Sequence, residues 1–130
     1  MQSIKVKDYL KDNITCVVAT HDGILTSEKR GIDPVLEWIN SGMDLTGASV
    51  ADKIVGKAVA MLFVMAGIKE VYAEVLSVSG KAFLEQNNIN VSWGVLTDVI
   101  INRQGTGMCP MEKAVLNIND CREAFKVLMH

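Results

Sequence analysis

The sequence predicts a three-layer α/β/α sandwich around a mixed β-sheet, and three observations carry that prediction. Residues 14–20 and 23–26 are rich in β-branched side chains and flank His21-Asp22-Gly23, so the Asp-Gly pair closes an antiparallel hairpin. Residues 58–66 are apolar on every side, as in a helix that is covered all round rather than along one stripe. After it, an apolar strand pattern (71–76), a helical stretch (79–86) and a second strand pattern (89–96) alternate, the order that yields parallel strands joined by a crossover helix.

The remaining elements follow in order. Residues 6–10 form a short amphipathic helix with Val6 and Leu10 on one side. Asp33-Pro34 is an N-cap followed by proline at the first helical position, and that helix runs to about Asn40 before Gly42 ends it. Ser49 and Asp52 nearly match a capping box, so the central helix is expected to start there and to stop at Gly67. Its charges, Asp52, Lys53 and Lys57, then fall in the first turns, beside free amide groups and the positive end of the helix dipole. Residues 97–101 extend the last strand or begin another, 102–109 form a loop, Pro110 opens a helix to about 116, and Asp120 caps a final helix over 121–128.

With 130 residues the chain is expected to form one domain spanning residues 1–130, long enough to bury a core. Its 49% hydrophobic content and mean hydropathy of +0.24 are high, so some apolar surface is available for a homo-oligomer interface. Net charge is -2 and the basic residues are dispersed, which argues against nucleic-acid binding. Residues 1–13 have no signal-peptide core, and the longest uncharged apolar run, residues 58–68, is far short of the ~20 residues that span a bilayer. A cytoplasmic protein without membrane contact is expected. The three cysteines, Cys16, Cys109 and Cys121, are odd in number and scattered, which fits a reducing compartment.

Four segments, Lys29-Arg30-Gly31-Ile32, Gly47 to Lys53, Val71-Tyr72-Ala73-Glu74-Val75, and Ile101 to Lys113 with its Gly105-Thr106-Gly107-Met108-Cys109-Pro110 core, resemble those of the family named domain of unknown function 1893. The resemblance runs from about residue 14 to 128 and implies a cytidine deaminase-like fold, but no activity. Zinc deaminases open the central helix with His-Ala-Glu or Cys-Ala-Glu and follow the next strand with Pro-Cys-x-x-Cys. Here the first position reads Val50-Ala51-Asp52, with valine in the ligand place, and the second reads Ser77-Val78-Ser79-Gly80. Cys109-Pro110-Met111-Glu112 comes one strand later and offers a single thiol. Catalytic zinc takes three protein ligands, so the resemblance implies a domain without metal, and no other cofactor is expected.

Several residues carry both a chemical and a structural reading. Asp52 reads as a general acid/base or as a helix cap, and Lys53 as its tuning partner or as a solvated charge. Glu74 reads as a site carboxylate or as a structural ion-pair partner. Cys109 stands before Pro110 at a helix start with Lys113 one turn on, an environment that lowers a thiol pKa; it is either a reactive thiol or a small buried sulfur. The Gly105-Thr106-Gly107 turn, with Arg103 and Arg30 nearby, is either an anion cradle or a plain turn. Cys16 reads as core and His21 as an exposed hairpin tip.

Three functions remain. In the first, an anionic or nucleotide-like small molecule binds at the N-terminus of the central helix, residues 49–57, next to the loop 103–112. Ser49, Glu74, Ser77, Ser79, Arg103, Thr106, Gly107 and Glu112 would hold it, and Asp52, Lys53 or Cys109 would carry any chemistry. In the second, Cys109 makes the protein a redox-sensing or thiol-modified regulator. In the third, a non-catalytic oligomeric module uses the apolar excess.

Overall fold

The computed structural model describes residues 6–11, 13–101 and 104–128. A short 3-10 helix, Val6–Tyr9, precedes β1 (Cys16–Thr20), β2 (Gly23–Ser27), α1 (Asp33–Asn40), β3 (Ser49–Val55), α2 (Lys57–Ala66), β4 (Glu70–Ser77), α3 (Val78–Gln86), β5 (Asn90–Thr97), α4 (Pro110–Ala114) and α5 (Cys121–Leu128). The five strands form one sheet in the order β2-β1-β3-β4-β5. β1 is antiparallel to both β2 and β3, whereas β3, β4 and β5 run parallel. This is the mixed α/β sheet with an N-terminal hairpin that the sequence predicts.

Strand alternation assigns the two faces. Cys16, Val18 and Val50 join the main core with Val35 of α1, Ala58 to Phe63 of α2, Leu84 of α3 and Leu128 of α5. Val17 and Ala51, one residue out of phase, pack with Val6 and Leu10 beneath the 3-10 helix. Helical structure therefore lies on both sides, consistent with an α/β/α sandwich, although among the described residues one short element covers the second side. α2 is the centre of the core: residues 58–63 are each at most 5% exposed. Burying a side chain of the size of Leu62 or Phe63 contributes about 1.5–3 kcal/mol, so this helix anchors the sheet. Gly67 ends it in a left-handed conformation, φ 81°, as its sequence position predicts.

The start of the central helix is the main correction. Ser49, Asp52 and Lys53 lie on β3, and the helix begins at Lys57 with Gly56 as its N-cap. The near-capping box is a local pattern that stabilises by about 1 kcal/mol. Residues 49–55 instead sit between two partners, with Val50 opposite both Val18 and Val71, so they gain ladder bonds on both sides and bury Val50, Ala51 and Val55. Tertiary pairing outweighs the local preference.

Candidate functional site

The chain leaves β3 at Val55 and turns into α2 through Gly56, which exposes the first amides of that helix at the carboxyl end of the parallel strands. In open α/β sheets this is the end where ligands bind. Those amides are already engaged. Glu112 of α4 places Oε1 2.8 Å from Lys57 N and Oε2 2.8 Å from Ala58 N, so one carboxylate accepts from two main-chain donors. Glu112 is 8% exposed, and its charge lies at the positive end of the α2 dipole. A Cβ on Gly56 would come within 2.4 Å of Glu112 Oε1, so glycine makes the approach possible.

The start of α3 abuts the same place. Ser77 caps it, accepting from Gly80 N at 2.9 Å, and its Oγ lies 3.3 Å from that of Ser79. A Cβ on Gly80 would stand 3.0 Å from the carbonyl carbon of Gly56, so the two helix starts touch through glycine. Lys57 Nζ turns away from the amides and donates to Leu116 O and Asn119 Oδ1 at 3.3 and 3.2 Å. A cavity of about 120 Å³ opens beside Glu112, lined by Lys57, Ser79, Asp98, Val99, Met108 and Leu116.

The predicted site residues divide. Ser77, Ser79 and Glu112 come together here, whereas Ser49 hydrogen-bonds Glu70 at 2.9 Å, at the amino end of the sheet. Asp52 faces the helix side of β3 in the core, across from Cys16. Burial raises its carboxyl from the ordinary 3.8 to about 7. Lys53 and Glu74 are half-buried and fall, by alternation, on the faces of Ala51 and Tyr72, away from α2. Thr106 is exposed and Gly107 half-buried in the loop. Cys109 is half-buried at the α4 N-cap, with its N–H bonded to Ile100 O at 2.8 Å. Arg103 lies outside the described residues. A ligand site spanning 49–57 is thus corrected, because Ser49 and Lys57 stand at opposite ends of a seven-residue strand and the turn that follows it.

Sequence reading missed Gly56 and Asp98 as parts of this place. The signal for Gly56 was present: a lone glycine between the β-branched Ile54-Val55 and the apolar run is the mark of a strand-to-helix turn. Asp98 carries no such mark. The central helix opens with Gly56-Lys57-Ala58 rather than with Val50-Ala51-Asp52. Among the described residues, no three His, Cys, Asp or Glu side chains gather in a group that could hold a metal ion. No described helix is long and apolar enough to cross a membrane.

Comparison with known proteins bears on the family and the fold. The chain is similar to a DUF1893 family protein, TM1506, from Thermotoga maritima, with 26% identity over 89% of this chain and 79% of that one, at a TM-score of 0.82. It is more distantly similar to a diaminohydroxyphosphoribosylaminopyrimidine deaminase/5-amino-6-(5-phosphoribosylamino)uracil reductase from the same organism, with 16% identity, 62% of this chain, 29% of that one and a TM-score of 0.50. The second likeness concerns the fold alone. No curated protein matches. The family model named TM1506, domain of unknown function (DUF1893), matches residues 5–130, and the chain belongs to that family.

Proposed function

We propose that this chain is a non-catalytic interaction module on a deaminase-like scaffold, which associates with a second copy of itself along β5. The observation that carries this reading is the surface of β5. It pairs with β4 on one side and, among the described residues, with no strand on the other. Val95 and Leu96 are 59% and 44% exposed, while Trp93 lies on the helix side, opposite Ala73, with the Lys81 ammonium of α3 5.3 Å above its ring. Natural edge strands are commonly protected by charge, proline or a bulge, yet Asn90–Thr97 contains no charged residue and no proline. Parallel strands are usually covered on both faces, whereas the described helical element on the face of Tyr72 and Ala51 packs on β1 and β3. A twofold partner pairing β5 with β5 would meet no like charges and could cover this face.

The measurement is the molar mass in solution, by light scattering or sedimentation. A dimer is expected for the wild type, and Val95→Lys or Leu96→Lys should shift it to monomer with an unchanged circular dichroism spectrum. A wild-type protein that stays monomeric at tens of micromolar would overturn the proposal.

The cavity beside Glu112 favours a second reading, the binding of a small anion. At about 120 Å³ it is below the ~300–1,000 Å³ of pockets for larger ligands, so it suits a carboxylate or phosphate group better than a whole nucleotide. Such an anion would have to replace the Glu112 carboxylate on the amides of Lys57 and Ala58. Thermal shifts with phosphate and short carboxylates test this: a rise in Tm with ligand concentration supports it, and no rise with any of them removes it.

A further inference from the structure

One ionisable group in the core takes no part in either reading. Asp52 is 6% exposed, in the middle of the sheet. Its Oδ1 accepts from Ile54 N at 3.4 Å, a long bond, while Oδ2 is buried and has no hydrogen-bond partner among the described residues. On β1 the residue directly opposite is Cys16, itself 1% exposed, and on β4 it is Ala73. The side chains above this face belong to the main apolar core. Cys16 is therefore the titratable group that faces Asp52 from β1, and β4 offers none at the matching position.

A carboxylate with one unpaired oxygen in such a place is strongly disfavoured, and keeping the proton avoids that cost. The neighbour behaves consistently: burial first, and then the charge of Asp52, push the Cys16 thiol well above its ordinary value. The effect is not symmetric: the Asp52 charge favours the neutral thiol, whereas the Cys16 contact favours the Asp52 carboxylate and only partly offsets the burial that holds its proton.

We propose that Asp52 and Cys16 form a buried proton-holding pair in the seam between β1 and β3, so that the native sheet carries Asp52 as the neutral acid and loosens when that proton is lost. The seam joins the N-terminal hairpin to the parallel half of the sheet, so its loosening would act where the two halves meet. The sign follows from proton counting. The unfolded chain releases the Asp52 proton above pH 4, whereas the folded chain keeps it until about 7. Between these values the folded state binds more protons, stability falls as pH rises, and above about 7 the loss is complete and constant.

Two measurements test the pair. In the wild-type protein with ¹³C-labelled aspartate, one carboxyl resonance should titrate with a midpoint near 7, apart from the others, and should vanish in Asp52→Asn. In denaturant unfolding, the wild-type unfolding constant should rise up to about tenfold per pH unit between pH 5 and 7 relative to Asp52→Asn. If Asp52→Asn does not fold, Cys16→Ala serves: removing the thiol takes away a contact that lowers the Asp52 value, so the midpoint should move up. Aspartate carboxyls that all titrate below about 5, or a midpoint unmoved by Cys16→Ala, would overturn the proposal. So would parallel stability profiles for wild type and Asp52→Asn.

Discussion

At Glu112 one carboxylate satisfies two of the amides that a helix start leaves open, and it does so from 55 residues further along the chain. Charge-assisted bonds of this kind contribute about 1.5–3 kcal/mol each, less what water would return to the exposed amides. Glu112→Ala should therefore lower stability by about 2–3 kcal/mol in urea unfolding, and added acetate should recover part of that loss. Gly56→Ala makes a sharper test, since its Cβ would displace the carboxylate. It should destabilise the wild type clearly and the Glu112→Ala protein little, a coupling of about 1 kcal/mol or more in a double-mutant cycle. The sequence marks Glu112 as a polar group near a helix start, and marks Asp52 as unusual. It assigns Asp52 to a helix turn because capping is a local pattern, and the two strands that bury it lie 36 residues back, at Cys16, and 21 residues on, at Ala73.

At the level of elements, α2 behaves as its sequence predicts and β3 does not. An apolar run with no polar face can be stable only under cover on all sides, so the burial of residues 58–63 follows from composition. Leu62, fully buried in that run, should cost about 2–5 kcal/mol when truncated to alanine, read as a shift of the denaturant midpoint without loss of fold. For Ser49–Val55 the same rules fail. The segment carries three β-branched residues and a near-cap, and only the presence of β1 and β4 on either side decides between them. The hairpin, α1 and the later β4-α3-β5 unit were legible because their signals are short-range: a two-residue turn, an Asp-Pro start, and an alternation of periods.

Across the whole molecule, the apolar excess in the composition anticipates exposed apolar surface, and the fold gathers part of it on the outer strand. Association through uncharged β5 should change little between low and molar salt, because screening acts on charges and the strand has none; a dimer that dissociates steeply with salt in sedimentation would point to a different surface. The sequence alone determined the class of fold, most of the elements, and the absence of a zinc-deaminase ligand pattern, since each of these rests on residue type and local spacing. Only the tertiary structure decided that Glu112 seals the start of α2, that Asp52 faces Cys16 inside the sheet, and that β5 is an edge strand among the described residues. All three depend on contacts between residues far apart in the chain, and burial, which sets their chemistry, is a property of the packed molecule rather than of any segment.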